Sequence, residues 1–240
     1  MAGLALEAVA LALLVSVRAL VAAAERVATH LRRGDLSAAR VSVGHDLVSR
    51  PTDALDPPRV ASAAVESVAE NLTDAFVAPA CFYLVFGLPG AAVYRAVNTA
   101  DAMFGYREGP LEYFGKAAAR LDDALSFLPA RLAGVAVVVA AALAGERGRG
   151  ALTVLRRDRR RTASPNAGWT MAAMAGALGV TLEKPGAYRL GAGPLPDAEA
   201  IDRACRVLAV AVVVSTAAMV AGAVFLGHFF FVGPWEGWVS

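Results

Sequence analysis

Two cysteines and three histidines in 240 residues leave little material for a soft-metal centre. Cys81 and Cys205 stand far apart in apolar surroundings with no paired-Cys motif, the pattern of buried, unreactive thiols. His30, His45 and His228 are scattered, which speaks against a His/Cys metal site. Charge is scarce too: 18% of residues are Asp, Glu, Lys or Arg, where a soluble domain carries about 25%. The net charge of +2 is too small to suggest a nucleic-acid partner.

In place of charge stands Ala, Val and Leu, and 57% of the chain is hydrophobic. The surplus is gathered in blocks, which points to lipid contact rather than to a larger soluble core. Four apolar segments emerge, at about 1–24, 75–103, 125–144 and 204–232, separated by polar loops and amphipathic helices at 25–74, 104–124 and 145–203. The first lacks the basic start of a secretory signal and reads as a retained membrane helix whose Glu7 and Arg18 face other helices. The second is interrupted by Gly87-Leu88-Pro89-Gly90, a strong turn signal, and each half is short for a full crossing. A helical hairpin or re-entrant pair is expected there, and such breaks at membrane depth line protein-buried or watery cavities. Val60 to Asp74 reads as an amphipathic helix, the stretch from Arg147 to Arg161 as a basic loop, and the residues before Pro196 as a Gly/Pro-rich loop. The Lys/Arg bias puts the loops after the first and third apolar blocks on the cytoplasmic side, and Trp235 and Trp238 suit an interfacial belt. The expected fold is therefore all-α, a single integral membrane domain over residues 1–240. It is a polytopic helical protein of the cell membrane, with re-entrant or broken helices and polar loops.

Four polar clusters abut the apolar blocks. Glu66, Glu70 and Asp74 recur every fourth residue and share one helical face, with Asn71 beside them. Like charges at that spacing repel, so the face is either solvated or relieved by a cation such as nucleotide-bound magnesium. Tyr94, Asn98 and Asp101 occupy one face at the end of an apolar segment and should point into protein or a cavity. Their polarity fits helix-end hydrogen bonding as well as substrate binding. Lys116, Arg120, Asp122, Asp123 and Arg131 bring both signs of charge to one membrane boundary. Carboxylates there can hold a metal and guanidinium groups can clamp oxyanions; an interfacial charge pair that anchors a helix explains them equally well. Asn166 and Trp169 open the small-residue run from Met171 to Val180, which suits close helix packing.

The order of these strings resembles the adenosylcobinamide-phosphate synthase family of cobalamin biosynthesis. They stand at Glu66–Asn71, Ala78–Pro79, Asn98–Tyr106, Phe114–Gly115, Ala119–Asp123, Pro129–Leu132 and Pro165–Trp169, within a stretch from about Gly34 to Gly191. The resemblance implies a multi-pass membrane ligase. It would join a carboxylate of the corrinoid adenosylcobyric acid to aminopropanol or aminopropanol phosphate at the expense of ATP. On that footing Glu66, Glu70, Asp122, Asp123 and Arg120 are the expected catalytic set, with magnesium held by Glu66, Glu70 and Asp122. Asn71, Asp74, Asn98, Asp101, Lys116, Arg131, Asn166 and Trp169 are the expected substrate- and nucleotide-binding residues. The lipid bilayer is an expected partner, as is a second copy of the chain or another cobalamin-assembly membrane protein. The chain departs from the family pattern at His45, Ala75 and Thr170, where Arg, Gly and Pro are usual. The usual His-Pro-Val type motif of an N-terminal region is expected to be missing. The competing reading is a non-catalytic corrinoid-binding or transporter component, or an inactive, shortened family member.

Overall fold

The computed structural model describes residues 17–104 and 112–231. It consists of nine helices among those residues: α1 (Val17–Arg32), α2 (Leu36–Asp46), α3 (Pro57–Leu72), α4 (Ala78–Phe104), α5 (Glu112–Leu125), α6 (Phe127–Leu143), α7 (Gly148–Asp158), α8 (Ala167–Leu178) and α9 (Ala198–Phe231). A single wide π turn, Thr73–Val77, joins α3 to α4. Glu7, His228, Trp235, Trp238 and Gly105-Tyr106 lie outside what the structure describes at side-chain level. Arg18 does not face another helix as expected: it is exposed at the start of α1.

Local chemistry sets the helix ends. The Asp56 carboxylate accepts from the Arg59 N–H at 3.0 Å, and Pro57 and Pro58 occupy the first turn of α3, where no intrahelical N–H partner is needed. Asp35 caps α2 in the same way through the Ala38 N–H. Gly179 ends α8 in the left-handed conformation at φ 70°, a position that costs a residue with Cβ about 1–2 kcal/mol.

α3 lies at the centre of the bundle. Every residue from Val60 to Ala69 is buried, so it is not the half-solvated amphipathic helix that its pattern suggests. Its polar side chains are satisfied internally instead. Ser67 donates to the Leu47 carbonyl, and Ser62 Oγ accepts from the Glu183 N–H at 2.7 Å. Around α3 pack α1, α2, α8 and α9, all contributing to one core.

The expected basic loop is also a helix. α7 packs along α8, and the contact is as close as glycine permits. A Cβ on Gly176 would sit 2.3 Å from the Gly150 carbonyl oxygen, and one on Gly150 would sit 2.7 Å from that of Gly176. Small residues on both helices bring the backbones together while the arginines of α7 face outward. The expected Gly/Pro-rich loop holds an antiparallel hairpin, β1 (Thr181–Lys184) and β2 (Tyr188–Gly191), with Leu182 opposite Leu190 and Glu183 opposite Arg189.

The break at Gly87 reverses the chain. Gly87 has φ 66° and ψ −162°, a conformation open essentially to glycine alone. Beyond it the Tyr94 hydroxyl reaches Asp74 at 3.4 Å, and Tyr94 stacks on Phe82 with ring centroids 5.4 Å apart. Twenty residues of straight helix would span about 30 Å. α4 is therefore a helical hairpin, and each limb is shorter than the roughly 30 Å hydrocarbon layer. By length and composition two helical runs among the described residues, Pro57–Phe104 and Ala198–Phe225, are apolar enough to cross a membrane, and α5 with α6 forms a third such run bent by 53°. Apart from Val41 on α2, the large exposed apolar side chains among the described residues belong to these same elements, among them Phe86 on α4, Leu132 and Val135 on α6, and Val220 and Phe225 on α9. An outward apolar surface of this kind defines a membrane-associated protein.

One ion pair ties the α6–α7 turn to α9. The Arg203 Nε donates to Glu146 at 2.9 Å and a second guanidinium nitrogen also reaches that carboxylate, with Arg206 at 3.9 Å. The bonds from Arg203 hold the Glu146 carboxyl below the ordinary glutamate range. A depressed carboxyl contributes stability above its unfolded value, near pH 4.3, and loses that contribution as pH falls through the lower folded value. The expected result is that Glu146→Gln unfolds more easily at pH 7, by on the order of 1.5–3 kcal/mol. The difference from the parent should vanish in the acid range below pH 4, which thermal unfolding in detergent at a series of pH values reads directly.

Candidate functional site

The residues that carry the polar motifs converge where four elements meet: the α3–α4 π turn, the far limb of α4, the α5–α6 junction and the loop that precedes α8. Between them lies a cavity of about 560 Å³. From α3 and the π turn come Glu70, Asn71, Thr73 and Asp74; from α4, Asn98 and Asp101; from α5, Asp122 and Asp123; from the loop, Ser164 and Asn166. Ser49, Ser126 and Lys184 add further polar groups to the wall, and Lys184 is the one cation among the described residues that line it.

The hydrogen bonds fix these groups relative to one another. Asn98 donates to Asp122 at 3.1 Å, and Tyr94 meets Ser126 at 3.0 Å, which pins the far limb of α4 to the α5–α6 bend. Ser164 donates to Asp123 at 2.8 Å, and the Asn166 side-chain amide donates to the Asp123 carbonyl at 2.8 Å. The Thr73 hydroxyl oxygen is buried without a hydrogen-bond partner, on the cavity wall. The π turn presents it together with Asp74, and wide turns of this kind concentrate at functional sites. Five carboxylates, one ammonium group and an unsatisfied hydroxyl describe a hollow built for a polar, partly cationic occupant.

Beside it, sharing Ala163, opens a second pocket of about 390 Å³ lined by Arg131, Arg159, Arg160, Thr162 and Trp169. Arg131 packs over Phe127, with 3.4 Å from its guanidinium carbon to the ring centroid, and lies 5.0 Å from the Trp169 centroid. Arg159 lies 5.1 Å from the same indole. Arg131 donates to the Asn166 side-chain oxygen at 2.8 Å, so Asn166, which is buried, joins the acidic hollow to the basic one.

Of the residues expected from sequence, Glu70, Asn71, Asp74, Asn98, Asp101, Asp122, Asp123 and Asn166 line the acidic cavity, while Arg131 and Trp169 line its basic neighbour. Glu66 does not join them. Its carboxylate accepts from Ser62 at 2.8 Å, from the Tyr188 hydroxyl at 2.8 Å and from Arg50 at 3.2 Å, so it clasps the β-hairpin to α3. Lys116 and Arg120 are exposed on α5 and line neither pocket. Among the described residues no three His, Cys, Asp or Glu side chains group tightly enough to cage a metal, so the expected Glu66–Glu70–Asp122 set is not assembled. Magnesium carried on nucleotide phosphates would need only one or two protein carboxylates, and Glu70, Asp74 and Asp122 are the cavity carboxylates that could provide them. The sequence alone gave no site role to Ser49, Thr73, Arg159, Arg160, Ser164 or Lys184. The Pro185-Gly186 turn between two β-patterned strings was the available signal for Lys184.

These features define a helical membrane protein with a polar two-chamber site beside a broken helix. The chain belongs to the CobD/Cbib protein family, whose sequence model matches residues 1–208, well beyond the stretch that carries the motifs. It is 47% identical over 188 residues to the probable cobalamin biosynthesis protein CobD of Methanothermobacter thermautotrophicus, covering 78% of this chain and 63% of that one. To the cobalamin biosynthesis protein CobD of Dehalococcoides mccartyi it is 51% identical over 161 residues, 67% of this chain and 52% of the relative. The probable CobD protein of Methanococcus vannielii is 45% identical over 173 residues, 72% and 56% respectively. The chain thus spans 52–63% of the length of these relatives. No solved structure matches it.

Proposed function

We propose that the chain acts in cobalamin biosynthesis as the cell-membrane ligase that amidates adenosylcobyric acid with aminopropanol or its phosphate, using ATP. The observation that carries this reading is the meeting of an acidic and a basic chamber through Asn166. A free carboxylate resists attack by an amine because its carbonyl carbon is electron-rich and oxide is a poor leaving group. Phosphoryl transfer from ATP to the corrinoid carboxylate releases ADP and gives an acyl phosphate. The amine nitrogen then bonds to the acyl carbon as phosphate departs, and the proton of the ammonium group passes to a base.

The chain's residues match these needs by position. Glu70, Asp74 and Asp122 attract and orient a cationic amine, and Asp122, held by Asn98, accepts its proton. The arginines of the second chamber balance phosphoryl charge. Magnesium, when bound with nucleotide, shields the phosphate oxygens during transfer. The bend in α4 and the exposed apolar surface keep the site at the membrane edge, where a large amphipathic corrinoid can approach.

Mass-spectrometric product analysis with adenosylcobyric acid, ATP and each amine tests the reading. The expected result is ATP-dependent conversion of the corrinoid to an amide carrying the mass of the added amine. Corrinoid binding or flux with no amide formed from either amine would establish the non-catalytic alternative instead.

A further inference from the structure

Arginines crowd residues 147–161, yet they are not treated alike by the fold. Arg157 and Arg161 are both paired with the buried carboxylate of Asp158, at 2.7 and 3.1 Å. Arg159 and Arg160, between them, turn the other way into the pocket that Arg131 enters from α6. Among the described residues none of these three has a carboxylate partner. Arg131 bonds to the Phe127 carbonyl and the Asn166 side chain, and Arg159 bonds to the Arg156 carbonyl at 3.2 Å.

Two of the guanidinium groups also flank one indole, each about 5 Å from the Trp169 centroid, and so lie within about 10 Å of each other. Like charges at that range repel unless an anion sits between them, and the aromatic face compensates only part of the cost. Guanidinium groups present paired donors that match phosphate oxygens, and three of them suit a dianion better than a single carboxylate. At about 390 Å³ the pocket holds a phosphoryl group with room for its ester substituent. The wall shared at Ala163 and the bridge through Asn166 place the rest of such a ligand in the acidic chamber.

We infer that Arg131, Arg159 and Arg160 around Trp169 form a phosphoryl-binding subsite for a soluble substrate whose other end occupies the acidic cavity. The assignment deepens the proposed amidation and rests on it for the identity of that substrate, but binding tests it without turnover. A phosphorylated amine and the nucleotide itself present the same chemistry, so each is a separate arm.

The experiment is calorimetric titration of the full chain in nanodiscs of zwitterionic lipid. The probes are pyrophosphate, magnesium ATP, aminopropanol phosphate and unphosphorylated aminopropanol, and the proteins are the parent, Arg160→Gln and the double variant Arg159→Gln/Arg160→Gln. Arg160 is exposed with no hydrogen bond to lose, so its single variant folds even where the double does not. The double variant should bind at least one phosphorylated probe about tenfold more weakly, and Arg160→Gln about threefold more weakly, with unphosphorylated aminopropanol unchanged. Loss confined to ATP or to aminopropanol phosphate identifies the source, and either supports the subsite. Equal binding of all phosphorylated probes by parent and variants overturns it, as does failure of all of them to bind the parent. In a parallel set of nanodiscs that include anionic lipid, arginine dependence seen only for lipid binding and for none of the soluble probes overturns it too. Arginine-dependent binding without any amide product would leave the subsite standing and remove the ligase reading.

Discussion

Asp122→Asn should lower ATP-dependent corrinoid amidation by at least about a hundredfold, the low end of what a positioned general base contributes. The substitution is isosteric, and an amide at 122 can still meet Asn98, so the α4–α5 contact survives while charge and basicity are removed. Arg120→Gln, two residues away, is the informative comparison. Its side chain is exposed and lines neither chamber, so turnover should stay within about twofold of the parent, as for an ordinary surface change. Spacing along the chain makes the two residues look like one unit, whereas the cavity separates them. Rates of amide formation for both variants, followed by mass spectrometry at saturating ATP, decide the matter. Turnover of Asp122→Asn within a few fold of the parent removes Asp122 from the chemistry, and collapse of both variants to the same extent points to a general loss of structure instead.

What the sequence revealed and what it concealed have physical causes. The hairpin was legible because glycine and proline within four residues of an apolar run leave few alternatives. The convergence of Asn98, Asp122 and Asn166 was legible only as an expectation that polar groups inside apolar blocks find one another. The Glu66–Glu70–Asp74 stripe was half right. At 100° per residue each step of four advances 40° around the helix, so Glu66 and Asp74 are 80° apart. That rotation puts Glu70 and Asp74 on the cavity and leaves Glu66 to Tyr188, 122 residues further on. No local pattern announces a partner so distant. α3 misled for a related reason. Its serines and Glu66 look like a solvated face, but the β-hairpin and the loop between α2 and α3 cover them with matched donors and acceptors. The arginines of α7 and of the residues just beyond it were legible as a basic stretch. Which of them Asp158 neutralises depends on their angular positions around the helix end, and so on the fold.

Gly90→Ala is a substitution on which helix propensity and packing predict opposite signs. Alanine is favoured over glycine within a helix by roughly 1 kcal/mol, so propensity alone predicts a more stable protein. At this position a Cβ would stand 2.5 Å from the Cβ of Phe86 and 2.7 Å from the carbonyl oxygen of Phe82. The second of these is backbone of the opposite limb and has no rotamer through which to retreat. Overpacking of a close contact costs about 1–3 kcal/mol, and the limbs can relieve it only by opening. Opening moves Tyr94 off Ser126 and Asn98 off Asp122, the contacts that close the acidic cavity on its α4 side. The expected outcome is a net loss of on the order of 1–2 kcal/mol in detergent unfolding, accompanied by a drop in amidation larger than the lost folded fraction explains. An unchanged or raised melting temperature would mean that the limbs are not packed against each other at Gly90. The route by which Asp74 and Asn98 reach one chamber would then have to be different.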